Sequence, residues 1–175
     1  IGDNTDGAGL LRDISTRRPA PLAGQRILLL GAGGAARGAI GPLLEGAPST
    51  LVIANRTAAK ARALAEHFAA QGTISGCAFS ELAGQSFDII INATSASLGG
   101  ELPPLPEGLF AADSLAYEMM YGQGDTPFLA FARTQGAAQL ADGLGMLVEQ
   151  AAEAFAIWRG VRPAVAPVMA LLRKT

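Results

Sequence analysis

The sequence predicts an α/β fold in which a doubly wound, mainly parallel six-stranded sheet carries helices on both faces. Short apolar runs suited to buried strands alternate with stretches of helical periodicity, which is the pattern of βαβ units. One such run leads directly into a glycine-rich turn and then a helical stretch. The 175 residues are half hydrophobic, which is enough to build one domain with a full core.

The chain opens with a short predicted helix and a linker. Leu10 and Ile14 recur at helical spacing after Asn4, Thr5 and Asp6, three residue types that favour the N-cap position. Two glycines weaken this helix as an isolated element. The run Arg-Arg-Pro-Ala-Pro that follows has the composition of a linker, so we expect residues 1–21 to form a linker helix and loop.

A glycine-rich turn follows the first predicted strand, residues 25–30. Gly31, Gly33 and Ala36 give the pattern G-x-G-x-x-A, and the residues that follow turn helical through Leu44. This order of strand, turn and helix is the setting of the dinucleotide-binding fingerprint in Rossmann-like folds. Gly31 permits the tight turn, and Gly33 lets the backbone approach a pyrophosphate. A glycine turn of purely structural role is the alternative.

The end of the second predicted strand, residues 51–54, indicates which dinucleotide would bind. Asn55 lies 24 positions after Gly31 (55 − 31), where an NAD site places a carboxylate on the ribose hydroxyls. Here the residue is neutral, Arg56 follows it, and Lys60 lies one helical turn later. A guanidinium can bind a 2′-phosphate that a carboxylate would repel. Thr57 would cap the next helix and offer a hydroxyl, so the pattern favours NADP over NAD, with a plain strand end and helix cap as the alternative.

The remaining elements continue the alternation of strands and helices. An alanine-rich helix is predicted at 58–70, and later helices at 126–134 and 144–158, the last with strongly periodic apolar residues. Pro163 is expected to begin a final helix at its first turn. The remaining predicted strands are residues 74–79, 87–91, 114–117 and 138–140.

Composition excludes several classes of function. Charged residues make up 16% of the chain and the net charge is −2, which gives no electrostatic basis for binding nucleic acid or a membrane surface. Neither an apolar run of about 18 residues nor a signal peptide is visible. Cys77, the one cysteine, cannot form an internal disulfide, which fits a reducing compartment, and we expect a cytoplasmic protein. Because the sequence opens at Ile1, we expect a fragment of a longer chain.

Five motifs make the chain resemble the shikimate dehydrogenase family. They are, in family order, Asn-Thr-Asp-Gly at 4–7, Gly-Ala-Gly-Gly-Ala at 31–35, Asn-Arg-Thr at 55–57, Asn-Ala-Thr-Ser at 92–95 and Asp-Gly-Leu-Gly-Met-Leu-Val-Glu-Gln at 142–150. The resemblance covers essentially the whole chain. It implies reversible NADP-linked reduction of 3-dehydroshikimate to shikimate, a step toward chorismate and the aromatic amino acids.

The resemblance also implies roles for particular residues. Asp6 would contact the substrate hydroxyl beside a catalytic lysine, and Tyr121 and Gln150 would lie on the substrate side. Read from the sequence alone, Tyr121 could end a strand and Gln150 could be a solvated helix edge. Met119 and Gly143 would lie beside the nicotinamide, although a core methionine and a helix cap are the simpler readings. The implied cofactor residues are Gly31, Ala32, Gly33, Gly34, Ala35, Asn55, Arg56, Thr57, Lys60, Thr94, Ser95, Met119 and Gly143. No metal is expected.

One feature of the family is missing. Its N-terminal domain, which supplies the catalytic lysine and part of the substrate pocket, has no match here, and neither Lys60 nor Lys174 stands in an equivalent context. We therefore expect residues 22–142 to form the NADP-binding domain and residues 143–175 to form helices that return toward the missing domain. His67 reads as surface decoration and Cys77 as a buried apolar residue.

The expected reaction of the intact enzyme is direct hydride transfer from nicotinamide C4 to the substrate ketone carbon. Asp6 and the missing lysine would bracket the reacting oxygen as a charge-coupled pair. The expected partner is a small-molecule substrate, 3-dehydroshikimate or shikimate, and homo-oligomer formation stays open. The alternatives are a non-catalytic NADP-binding module and a quinate dehydrogenase relative, whose preference for NAD the pair Arg56 and Lys60 argues against.

Overall fold

The computed structural model describes residues 4–18, 22–122 and 124–173. Its strands are β1 (Arg26–Leu30), β2 (Thr50–Ala54), β3 (Ile74–Cys77), β4 (Phe87–Asn92), β5 (Phe110–Glu118) and β6 (Gln139–Ala141). Its α-helices are α1 (Asp6–Arg17), α2 (Gly34–Glu45), α3 (Ala58–Phe68), α4 (Pro127–Thr134), α5 (Leu144–Arg159) and α6 (Ala166–Leu172). Short 3₁₀ turns occur at Ala69–Gln71, Phe79–Leu82 and Ala96–Gly99.

The strands form one parallel sheet in the order β3-β2-β1-β4-β5-β6, which confirms the predicted fold class. Both faces of the sheet are covered: Ile27 and Leu29 of β1 belong to one buried cluster, and Leu28 and Leu30 belong to another. This double burial explains why the strands read as continuous apolar runs. Successive strands are added toward one edge of the sheet from β1 to β3 and toward the other edge from β4 to β6. The position between β1 and β4 is therefore the topological switch point, and ligands bind at such points beyond the carboxyl ends of the strands.

Helix α1 packs closely against α2 and α5, and its glycines permit this. A Cβ on Gly9 would lie 2.7 Å from the backbone nitrogen of Gln150 in α5. A Cβ on Gly7 would collide with the carbonyl of Gly38 in α2. The glycines that weaken α1 as an isolated helix are therefore required where it crosses its neighbours.

A buried polar cluster fastens α1 to the sheet. The Tyr117 hydroxyl of β5 donates to the Asp13 carboxylate at 2.7 Å, and Arg17 donates to the same oxygen at 2.9 Å. Burial, followed by the nearby negative charge of Asp13, raises the pKa of Tyr117 well above its usual range, so the hydroxyl stays protonated and remains a donor. Asp13 and Tyr117 are 104 positions apart, and the sequence patterns do not suggest the pair.

The last predicted helix begins later than expected. The prediction that Pro163 begins it is wrong, because α6 starts at Ala166 with Pro167 in its first turn. A helix begun at Pro163 would put Pro167 in its interior, where the missing N–H could not bond to the Pro163 carbonyl. Arg162 instead bonds back to Glu149 and Glu153 of α5, which holds the connecting segment against that helix.

Two strand boundaries also differ from the prediction. Strand β5 begins at Phe110 rather than near Ser114, and its pairing with β4 shifts register between Phe87 and Ile89. Strand β3 ends at Cys77, and Phe79 opens a 3₁₀ turn. Within the described ranges, the helices are too short or too polar to span a bilayer. The predicted linker segment 19–21 lies outside the described residues.

The close crossing of α1 and α5 predicts opposite effects for two helical Gly→Ala substitutions. Gly9→Ala should lower the free energy of unfolding by about 1–3 kcal/mol, the usual cost of overpacking. Gly41→Ala in α2 is the matched control, since the nearest atom to its Cβ would be Gln71 Oε1 at 3.9 Å. It should raise the free energy of unfolding by about 0.5–1 kcal/mol. Urea unfolding of both variants measures this, and equal effects would contradict the packing.

Candidate functional site

A tight backbone turn joins three strands at the switch point. Gly31 has φ +107°, a conformation that side chains rarely adopt, and its N–H donates to the carbonyl of Ala54 at the end of β2 at 2.8 Å. A Cβ on Gly31 would lie 3.1 Å from the carbonyl oxygen of Ala93, just after β4. The Ala93 N–H in turn donates to the carbonyl of Leu30 at 2.9 Å. Glycine is therefore required here by both its φ and the close backbone approach.

The two glycines after this turn face open space. Gly33 is the N-cap residue of α2 and makes no side-chain cap hydrogen bond. In the described part of the chain, a Cβ added to Gly33 or to Gly34 would meet no atom within 4 Å. The first N–H groups of α2 thus point into a free volume with no capping side chain of their own, which is the arrangement that accepts an anion.

A cleft of about 630 Å³ lies in front of this helix end. Its far wall is formed by Phe79 and residues 101–104. The cleft brings together the following residues that the sequence assigned to a cofactor: Gly31, Ala32, Gly33, Gly34, Ala35, Asn55, Arg56, Thr94 and Ser95. Thr57, Lys60, Met119 and Gly143 lie outside its lining.

The segment after β2 presents Arg56 to the solvent. The Asn55 side chain donates to the Thr57 carbonyl at 3.1 Å, and its backbone N–H donates to the Cys77 carbonyl at 3.1 Å. Thr57 occupies the predicted N-cap position of α3, but its hydroxyl makes no capping hydrogen bond. Asn55 therefore shapes the bend, and Arg56 and Thr57 remain exposed beside the cleft.

A second cavity, of about 500 Å³, opens between α2 and α3 on the other side of the glycine turn. Lys60, Leu64 and His67 line it from successive turns of α3, and Arg37 lines it from α2. The Arg37 guanidinium donates to Nε2 of His67 at 3.0 Å, and both side chains are exposed, as predicted for His67. Arg37, Arg56 and Lys60 form no ion pair with any described carboxylate. The glycine turn is thus flanked by positive charge that no described acidic group neutralises.

Sequence reasoning overlooked Arg37, although a signal was present. The residue lies in the first turn of α2, where a cation opposes the helix dipole. A basic residue at that position is a reason to expect an anion nearby. Cys77 is half-buried, and burial raises the pKa of its thiol, which disfavours the reactive thiolate.

The ends of β4 and β5 are joined by buried polar side chains that the motif reading did not anticipate. Asn92 Oδ1 accepts from the Thr94 N–H at 3.1 Å and from the Thr94 hydroxyl at 2.8 Å. Asn92 Nδ2 donates to the Glu118 carboxylate at 2.8 Å. The Met119 N–H donates to the Asn92 carbonyl at 3.0 Å. The signal in the sequence is a polar residue that directly ends each of two buried strands.

Met119 and Gly143 meet at the carboxyl ends of β5 and β6. The Gly143 N–H donates to the Met120 carbonyl at 3.0 Å, and a Cβ on Gly143 would collide with the Met119 carbonyl. Gly143 is also the N-cap residue of α5. The close approach explains the glycine structurally, and it places Met119 next to the start of α5.

The substrate-side residues fall into two groups. Asp6 begins α1 and is half-buried, and its carboxylate makes no hydrogen bond or ion pair with another described residue. The hydroxyl of neighbouring Thr5 donates to the Gln150 side chain at 3.1 Å, which holds α1 and α5 together beside Asp6. Tyr121 is 53% exposed, and no described contact joins it to Asp6.

Comparison with known proteins gives a consistent result. A model of the family "Shikimate / quinate 5-dehydrogenase" matches residues 13–99, and one of the "Shikimate 5'-dehydrogenase C-terminal domain" matches residues 143–173. The shikimate dehydrogenase (NADP(+)) of Dechloromonas aromatica is 64% identical over 173 residues, which is 99% of this chain and 63% of that protein.

Solved structures agree with these matches. An Ael1 enzyme from Pseudomonas putida superposes with a TM-score of 0.89 at 57% identity, covering 98% of this chain and 63% of that one. Shikimate 5-dehydrogenase from Thermus thermophilus, in complex with NADP(H) and shikimate, superposes with a TM-score of 0.80 at 31% identity, covering 99% and 63%. The chain thus spans just under two thirds of the length of these relatives.

Proposed function

This chain belongs to the shikimate dehydrogenase family, and we propose that it supplies the NADP-binding half of an enzyme that reversibly reduces 3-dehydroshikimate to shikimate. The observation that carries the proposal is the open glycine turn at residues 31–35, flanked by cations that have no described carboxylate partner. The D. aromatica relative is named as an NADP(+) enzyme, and the T. thermophilus structure holds NADP(H) and shikimate.

The residues present fit NADP. The free volume in front of Gly33 and Gly34 suits a pyrophosphate, because backbone N–H groups and the helix dipole face it. Arg56 and Lys60 are proposed to hold the 2′-phosphate, with Asn55 and Thr57 shaping their segment. When bound, the nicotinamide supplies the hydride, and the protein's part is to orient the reactants and provide a proton path.

The nicotinamide end is proposed to lie at the ends of β4, β5 and β6. Thr94 and Ser95 line the cleft beyond β4, and Met119 and Gly143 lie together beyond β5 and β6. The backbone hydrogen bond from Met119 to Asn92 joins these two groups of residues. Their placement fits a cofactor that crosses the sheet at its switch point.

Substrate is proposed to approach from the α1 and α5 side. The Asp6 carboxylate, which has no partner among the described residues, would bind a substrate hydroxyl, and Gln150, held by Thr5, would lie beside it, with Tyr121 completing this side. A carboxylate in its charged form only accepts hydrogen bonds, so Asp6 is not proposed as the proton donor. The proton is proposed to come from a lysine in the part of the enzyme for which this chain has no counterpart.

The last two helices support a division of labour along the chain. Trp158 is 79% exposed and Leu171 is 68% exposed, and a groove of about 380 Å³ lined by apolar side chains of α5 and α6 lies nearby. Exposed apolar area of this kind marks a contact surface. We assign residues 1–21 and 143–175 to contacts with the substrate-binding part of the enzyme, and residues 22–142 to the cofactor. Coverage by a second copy of the chain is the competing arrangement.

The 2′-phosphate assignment predicts a cofactor-specific effect at Arg56. Arg56→Ala should weaken NADP⁺ binding by about 1.5–3 kcal/mol, the value of a charged hydrogen-bonded contact, and leave NAD⁺ binding unchanged. Arg62→Ala is the matched control, since Arg62 also lies on this edge but is paired with Glu81 at 2.9 Å. Calorimetric titration with both cofactors measures the effect, and an equal loss for NAD⁺ would refute the assignment.

The proposed division of labour predicts that this chain alone binds NADPH without reducing 3-dehydroshikimate. Without the lysine and its half of the pocket, the positioning that contributes about 7–11 kcal/mol to such reactions is lost. The assay follows absorbance of the reduced nicotinamide in a mixture of chain, NADPH and 3-dehydroshikimate. Turnover near one per second, the low end for ordinary enzymes, would show that the catalytic groups are all present.

A further inference from the structure

A buried carboxylate lies where β4 and β5 end. Glu118 is the last residue of β5, it is 0% exposed, and it pairs in register with Asn92, the last residue of β4. Burying a carboxylate costs several kcal/mol unless hydrogen bonds compensate for the lost water. Its position beside the proposed nicotinamide end therefore needs an explanation.

Both carboxylate oxygens of Glu118 accept hydrogen bonds. Oε2 accepts from Asn92 Nδ2 at 2.8 Å and from the Thr126 hydroxyl at 3.1 Å. Oε1 accepts from the Met120 N–H at 3.2 Å. An ionised carboxylate only accepts, so these donors match it. One side chain thus joins the ends of two strands to the start of α4.

Two of these three donors lead to residues proposed to contact the cofactor. Asn92 uses its other side-chain atom, Oδ1, to accept both the N–H and the hydroxyl of Thr94. The Met120 N–H immediately follows Met119. Thr126 caps α4 by accepting from the Leu129 N–H at 3.3 Å. Glu118 therefore acts on the loops after both β4 and β5.

Replacing the carboxylate by an amide of the same size breaks this pattern in either orientation. If the new NH₂ group replaces Oε1, it faces the fixed N–H of Met120. If it replaces Oε2, it faces the NH₂ of Asn92, which must turn over. That turn would present Asn92 Nδ2 to the Thr94 N–H and remove a bond that holds Thr94. The disturbance thus passes to the loops themselves.

We propose that Glu118 is a positioning residue that holds Thr94 and Met119 where the nicotinamide end of NADP binds, an inference that rests on the proposed function. It acts through Asn92 and the Met120 N–H and has no contact with the cofactor of its own. The adenosine end is proposed to lie on α3 and the segment after β2, whereas the Glu118 hydrogen bonds described above reach Asn92, the Met120 N–H and the start of α4.

The test compares two ligands in titrations of the same chain: NADP⁺, and adenosine 2′,5′-bisphosphate, which lacks the nicotinamide end. Glu118→Gln should weaken NADP⁺ binding by about tenfold or more, the equivalent of one lost charged hydrogen bond, and leave the bisphosphate affinity unchanged. Asp125→Asn is the matched control, because its carboxylate is exposed and pairs with Arg133 in the same region. It should change neither affinity.

Other results would overturn the proposal. Equal losses for both ligands would show a general structural role for Glu118, and an unchanged NADP⁺ affinity would show no positioning role. Failure of the wild-type chain to bind either ligand would overturn the proposed function together with this inference. If Glu118→Gln does not fold, Glu118→Asp is the second variant, because the shorter side chain withdraws the carboxylate from Asn92 Nδ2 and from the Met120 N–H. It should weaken NADP⁺ binding with the same discrimination between ligands, and an unchanged NADP⁺ affinity in that variant would also refute the proposal.

Discussion

The backbone turn at Gly31 is the constraint on which the rest of this structure depends. Its positive φ directs the chain from the end of β1 into α2, and its N–H bonds to the end of β2. A Cβ on Gly31 would lie 3.1 Å from the carbonyl oxygen of Ala93, after β4, which is a tighter contact than most Cβ atoms make. Three strand ends are thereby fixed at one point, and the open start of α2 faces the cleft between them. The proposed cofactor site is a consequence of this packing.

The sequence was most informative about the fold where the signal was local. Buried parallel strands give continuous apolar runs, and β1, β2 and β4 were predicted almost to the residue for that reason. The start of β5 was not, because Asp113 interrupts the apolar run and the segment lies at the register shift, between the paired residues Phe110 and Leu115. The last helix was predicted to begin three residues too early, at Pro163 instead of Ala166. Both Pro163 and Pro167 could stand in a first turn, where no N–H partner is needed, and a start at Pro163 would put Pro167 in the helix interior.

The same limit applies to the site. The glycine turn and the segment Asn55–Lys60 could be assigned to the proposed site from the sequence, because each is a short motif whose members lie together in the chain. The pairs Arg37 with His67, Asn92 with Glu118 and Asp13 with Tyr117 are 30, 26 and 104 positions apart, and no spacing rule links them. Polar residues at the ends of buried strands are the signal to look for, because a buried polar group requires a partner.

The most direct test of the account is NADP⁺ titration of Gly33→Val, since the central claim is that the open space at this turn receives the pyrophosphate. A Cβ at this position would meet no described atom within 4 Å, so the variant should still fold. It would occupy the space proposed for the pyrophosphate, so the account predicts that NADP⁺ affinity falls by at least about tenfold. A folded Gly33→Val chain with wild-type affinity would contradict it and leave the turn a structural one.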